Sequence, residues 1–300
     1  MTAQNHMDIM TIMQGAHNKS YFGYTVASLD FNHDSYDDLI VCSPEWKSVY
    51  PDPVNWPKGR MDIYFGGAGF DNIPDITMLG EYDFQYRSVA NIGDVSGDGF
   101  DDLYIGGDEP ASNPSEYFLR IYTGGNTAPS EPDIQISYIL NENNYLAKVS
   151  KLGDVNGDGF YEIGVSIGNM FLAEDFNIIW GNCLDWSYIT SSCNYSDSYT
   201  VGFSGIGDIN NDGYDDFAIG YTFDDPYIGY HFITLYYGNA SDTFDNTLVL
   251  TQTQAGISKI STPLGDINGD GIDDFMGYQS IAGLNVWLGS TDTDSIPDFA

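Results

Sequence analysis

GDINNDGYDDF, residues 207–217, places acidic and amide side chains at alternate positions of one short segment and runs straight into an apolar stretch. The pattern returns as LDFNHDSYDDL from Leu29, GDVSGDGFDDL from Gly93, GDVNGDGFYEI from Gly153 and GDINGDGIDDF from Gly265. The leading aspartates, Asp30, Asp94, Asp154, Asp208 and Asp266, are separated by 64, 60, 54 and 58 residues. Near-regular recurrence of so specific a segment marks a repeat architecture.

Each repeat carries the same order of strand signals around its acidic loop. In the second, YRSVANI precedes the loop, and DLYIGG, YFLRIYTGG and DIQISYIL follow it; the fourth repeats this with TVGFSGI, DFAIGYTF, HFITLYYGN and NTLVL. No helical pattern separates the strands, so each repeat reads as a four-stranded antiparallel sheet. So small a sheet cannot bury both faces alone, and neighbouring sheets must stack. The fold class is therefore all-β, a β-propeller of five four-stranded blades forming a single domain over 1–300. The fifth repeat has three strands (SKISTPL, DFMGYQS and LNVWLG) and ends at SIPDFA, whereas the chain begins with MDIMTIM, which is similar to the outer-strand segment DITML. An amino-terminal strand completing the fifth blade closes the ring and removes its open edge. The alternative is an excerpt from a seven-bladed ring.

Composition supports strands and turns, with 34 Gly, 23 Tyr and 17 Phe in 300 residues. Nine Lys and Arg against 44 Asp and Glu give a net charge of −35, which argues against nucleic acid and anionic membranes as partners. No stretch is apolar enough to span a bilayer. The first residues lack the basic start and apolar core of a secretory leader, so a secreted chain of this kind has lost its leader or belongs to a longer surface protein. Of three cysteines, Cys42 lies in the apolar run LIVCS and reads as buried. Cys183 and Cys193 flank the strand-like WSYIT and stand either as a hairpin-spanning disulfide or as two free thiols.

Oxygen donors at alternating positions of a tight turn suit a hard divalent cation, and calcium tolerates a flexible loop better than magnesium does. The expected loops are 30–38, 94–102, 154–162, 208–216 and 266–274, for up to five Ca2+. Side-chain donors at positions one, three and five are Asp30, Asn32 and Asp34; Asp94, Ser96 and Asp98; Asp154, Asn156 and Asp158; Asp208, Asn210 and Asp212; Asp266, Asn268 and Asp270. The position-seven carbonyls are those of Tyr36, Phe100, Phe160, Tyr214 and Ile272. Asp38, Asp102, Glu162, Asp216 and Asp274 close the sites at position nine. Glycine at position six, as at Gly213, permits the positive φ of such a turn. Loop one departs from the pattern, with Ser35 at position six and Leu29 in place of the preceding glycine, and is expected to bind more weakly or stay empty. His33 lies at a position facing away from the ion, which leaves no transition-metal donor set.

At these residues the chain resembles a known family. FGYTVASLDFNHDSYDDLIVCSP, residues 22–44, is similar to the FG-GAP repeat of integrin α-subunits and related bacterial surface proteins, with Cys42-Ser43-Pro44 where Gly-Ala-Pro is usual. The resemblance implies calcium in the loops between the first and second strands, and ligand binding at the opposite face. It also implies an extracellular or cell-surface adhesion module.

On that opposite face the longest connection is SPEWKSVYPDPVNWPKGR, residues 43–60, which carries Trp46, Tyr50 and Trp56 with Lys47, Lys58 and Arg60. Tyr227 joins it from the fourth repeat. Aromatics in a long loop suit a protein or glycan ligand, fold back to plug the ring, or belong to a flexible loop. Trp180 and Trp287 fall at third strands and read as core. His6, His17, His33 and His231 are scattered, no GxSxG appears, and the loop motif accounts for most paired acids, so no catalytic residue is assigned. The leading expectation is a calcium-stabilised binding or adhesion module without catalysis, monomeric or part of a larger surface protein. The alternatives are a lectin using the aromatic loops and a polysaccharide lyase or hydrolase.

Overall fold

The computed structural model describes residues 12–15, 20–46, 59–80, 86, 88–109, 116–127, 129, 132–139, 144–169, 172–181, 198–223, 230–240, 244, 247–252, 259–279 and 283–291. All regular elements among them are strands, as the strand-forming composition and the absence of any helical period require. β1 (Val26–Leu29), β2 (Asp38–Ser43), β3 (Arg60–Tyr64) and β4 (Ile76–Leu79) form an antiparallel meander in that order. β5 (Ser88–Gly93), β6 (Asp102–Glu109), β7 (Glu116–Tyr122) and β8 (Ile134–Ile139) form the second. β9 (Asn144–Gly153), β10 (Glu162–Asn169) and β11 (Leu172–Ile179) form a third sheet of three described strands. The fourth sheet contains β12 (Ser198–Gly207), β13 (Asp216–Phe223), β14 (Tyr230–Tyr236) and β15 (Thr247–Gln252). The fifth contains β16 (Lys259–Gly265), β17 (Asp274–Gln279) and β18 (Gly283–Trp287). This all-β, propeller-like set of small sheets follows the strand order read from the second, fourth and fifth repeats. Met7 to Thr11, the 186–190 segment with its flanking Cys183 and Cys193, and the closing SIPDFA lie outside the described residues; Ile12–Gly15 carry no strand.

The chain divides into two compact units, residues 1–91 with 100–139, and residues 92–99 with 140–300. In the first, Leu29, Phe31, Ile40, Cys42, Met61, Ile63, Leu103, Ile105 and Phe118 form one buried cluster. β2 and β3 are buried on nearly every residue, whereas β4 alternates buried and exposed as an outer strand does. In the second unit β12 lies between β9 and β16, so the inner strands of three consecutive sheets are neighbours. Phe176, Phe203 and Phe217 pack between the third and fourth sheets, and Ile206, Ile233, Phe275 and Trp287 between the fourth and fifth. Trp180 and Trp287 are both buried, Trp287 stacked on Phe275 with ring centres 5.1 Å apart.

Candidate metal sites

Every acidic loop joins the first and second strands of its sheet. The position-nine carboxylate pairs in register with the residue before the loop: Asp38 with Leu29, Glu162 with Gly153, Asp216 with Gly207 and Asp274 with Gly265. The three glycines have positive φ, and the ladder shifts by one residue beside each of them, a bulge that re-aims the chain into the loop. Leu29 cannot adopt that conformation cheaply, and the first hairpin runs into its loop without a shift.

Within the loops, the leading aspartate folds over its own backbone. In loop four the N–H of Asp212 donates to Asp208 Oδ1 at 3.0 Å and that of Gly213 to Asp208 Oδ2 at 2.9 Å. Asn210 Oδ1 accepts from Asp212 at 2.9 Å, and Asp212 Oδ1 from Tyr214 at 3.0 Å. Asp154, Asn156 and Asp158 repeat this in loop three, and Asp266, Asn268 and Asp270 in loop five. Loop one makes the same turn through Asp30, Asn32 and Asp34, although Ser35 stands at φ 71° where Gly99, Gly159, Gly213 and Gly271 stand at 90–92°. In loop two the division between units falls after Gly99. On one side of it Asp94 accepts from Gly97, Asp98 and Gly99. Position four also has positive φ, including His33 at 56° and Asn211 at 58°. The His33 ring packs on Phe100 with centres 5.4 Å apart.

The position-nine carboxylates are the chemically distinctive groups. Asp38 is 1 % exposed and Asp102, Glu162, Asp216 and Asp274 are 0 % exposed, and a charge so buried must be paired or hydrogen-bonded. One oxygen accepts from the position-two N–H, of Phe31, Val155, Ile209 or Ile267, at 2.9–3.1 Å. The other accepts from a glycine just after the third strand: Gly66, Gly124, Gly181, Gly238 or Gly289. A single carboxylate thereby ties the loop to the end of the third strand of its own sheet, with lone pairs remaining on both oxygens. Burial pushes the Glu162 and Asp216 carboxyls up to about 8; the donors pull the other way, and the carboxylates at positions one and five push further upward. Such a site is rich in oxygen and negative charge, which fits a hard cation at the residues read from the sequence. Among the described residues no three acidic, His or Cys side chains stand close enough to hold an ion as they are placed.

The sequence reading missed the position-eight residues, Asp37, Asp101, Tyr161, Asp215 and Asp273. An ion needs one acid after the position-seven carbonyl, yet four of the five loops carry two in a row or an acid beside a ligand, and that excess was the available signal. Asp215 and Asp273 reach across to the preceding loop: the N–H of Asp154 donates to Asp215 Oδ2 at 2.9 Å and that of Asp208 to Asp273 Oδ2 at 3.2 Å.

At the other end of the first sheet, the structure places Trp46 at the neck of the long connection. Its N–H donates to the Ser43 carbonyl at 3.1 Å, and its carbonyl accepts from Gly59 at 3.3 Å. The Arg60 guanidinium lies 5.6 Å from the Trp46 ring centre and also bonds Asp62, which accepts from Thr77 Oγ1 at 2.6 Å. Trp46 is thus half-buried and held by its neighbours. Tyr50, Trp56 and Tyr227 lie outside the described residues.

The FG-GAP repeat profile matches residues 22–52, which include loop one and β2. Integrin alpha-5 of Xenopus laevis is 33% identical over 110 residues, covering 35% of this chain and 10% of that protein. Integrin alpha-6 of Homo sapiens is 31% identical over 126 residues, 40% of this chain and 10% of its own. Integrin alpha-4 of Xenopus laevis is 27% identical over 154 residues, 49% and 14% respectively. The chain thus spans about a tenth of the length of the curated relatives it matches. The matched repeat, the recurring loops and these relatives support the reading of the chain as an integrin-like FG-GAP repeat protein.

Proposed function

We propose that this chain is an extracellular, calcium-stiffened binding or adhesion module, with Ca2+ held in the five loops and a protein or glycan ligand met at the opposite loop ends. The observation that carries the reading is the recurrence of one loop conformation, in which the position-one carboxylate accepts backbone N–H groups of its own turn and a buried position-nine carboxylate accepts the position-two N–H. The residues that would hold the ion are the side chains at positions one, three, five and nine and the carbonyl at position seven. The ion supplies positive charge that offsets the crowded carboxylates. At tenfold over its dissociation constant, each bound ion stabilises the fold by about 1.4 kcal/mol. Sites of this kind fill at extracellular calcium concentrations, which supports a place outside the cell or on its surface. The five sheets are read as blades of one domain, the fifth completed by the amino-terminal strand. No catalysis is assigned, because backbone hydrogen bonds and ligand positions account for the repeated acids.

Melting the full chain in millimolar calcium and again in chelator tests the cation reading: a melting temperature indifferent to chelator would overturn it. A glycan array run in the same two conditions divides the ligand classes. A sugar hit lost in Trp46→Ala, with unchanged melting, makes the module a lectin; a blank array favours a protein ligand.

A further inference from the structure

Position eight is flanked by ligand positions on both sides, yet in loops four and five its residue faces the preceding loop. The Asp215 carboxylate accepts the Asp154 N–H, and in return the Asp215 N–H donates to the Asp154 carbonyl at 3.1 Å. Asp273 makes the same two-way bond with Asp208, its own N–H lying 3.4 Å from the Asp208 carbonyl. A second backbone bond reinforces each junction: Asn239 N–H to the Val155 carbonyl and Ser290 N–H to the Ile209 carbonyl, both at 2.9 Å. A Cβ on Gly153 or Gly207 would collide with the reaching carboxylate, so these glycines clear its path as well as allowing the bulge. The first two residues of loops three and four are therefore held by the next sheet, and the first of each pair is also the leading ion ligand.

The clamp is not uniform along the chain. In loop three position eight is Tyr161, whose ring lies 3.6 Å from the Lys151 ammonium and fills the space over Gly93. In loop two Asp101 accepts from the Asn91 amide at 3.2 Å, and Leu29 stands where the receiving glycine would be.

We propose that Asp215 and Asp273 are positioning residues that couple cation binding in loops three, four and five, so that an ion in one loop raises its neighbour's affinity. The inference rests on the calcium reading above. An ion that fixes positions seven and nine of loop five also fixes position eight between them. Asp273 then holds Asp208 in its ligating conformation, which lowers the ordering cost for the next ion.

Hydrogen exchange read by mass spectrometry on the full chain, as a function of calcium, reports each loop separately and needs no activity. Asp270→Ala disables loop five, and the calcium midpoint for protection of residues 208–216 is expected to rise about fivefold or more. In an Asp273→Ala background the same disabling change should move that midpoint less than twofold, while Asp273→Asn, which keeps an acceptor oxygen, should retain the shift. A loop-four midpoint unmoved by Asp270→Ala overturns the coupling. Equal shifts with and without Asp273 overturn the residue's role. If no loop gains protection with calcium, the cation reading itself fails, and the coupling with it.

Discussion

At the scale of single residues, the loops ask for backbone that only some side chains accept. Glycine at position six was legible, because the turn visibly needs it. The positive φ at position four was not, since His33 and Asn211 occupy it without advertising it. Asn tolerates this region, whereas Ser35 at φ 71° carries a cost of about 1 kcal/mol. Ser35→Gly is therefore expected to stabilise the protein by up to about 1 kcal/mol, less the extra freedom glycine gives the unfolded chain. For a chain of this size that is a rise of at most about 2 °C in melting temperature, measurable by calorimetry, and loop one should fill at lower calcium. Cys42 gives a second test at this scale. Burial pushes its thiol up to about 12, so essentially no thiolate exists at pH 8. Iodoacetamide should leave Cys42 unlabelled in the native protein and label it after denaturation, as peptide mass spectrometry would show.

At the scale of elements, strand order and loop placement could be read from the sequence because the strands are short, apolar and bounded by turns. What could not be read was how the elements are tied together. The donor to each position-nine carboxylate is a glycine 15 to 28 residues away, a separation that varies with the connection between second and third strands. The long 43–60 connection shows the same limit: its aromatics were visible, but not that Trp46 would be pinned beneath Arg60. Gly238→Ala probes the tie directly. A Cβ there would meet the Asp215 and Val155 carbonyls, and the movement needed to clear them would break the Gly238 bond to Asp216, 2.8 Å long. Overpacking together with a weakened buried hydrogen bond is expected to cost about 2–4 kcal/mol, read as a lower denaturant midpoint at unchanged slope. A variant as stable as the parent would mean that the carboxylate is held by its position-two bond alone.

At the scale of the whole molecule, a net charge of −35 on 300 residues opposes compaction, and two physically different remedies exist. Salt screens exposed charges at a distance, with a Debye length falling from about 10 Å at 0.1 M to about 3 Å at 1 M. It does little for carboxylates that are 0 % exposed, such as Asp216 and Glu162, which sit beside two further acids in their own loops. A bound cation acts where salt cannot, so the two remedies should add. In chelator, raising sodium chloride from about 0.1 M to about 1 M should lift the melting temperature only part of the way towards its value in millimolar calcium. Calcium added at about 1 M salt should still give a further rise. If 1 M salt alone reproduced the full calcium effect, the loops would be responding to general screening. The buried position-nine carboxylates would then be satisfied by their backbone donors without an ion. A calcium increment that survives high salt assigns the effect to the loops, since diffuse surface charge is already screened there.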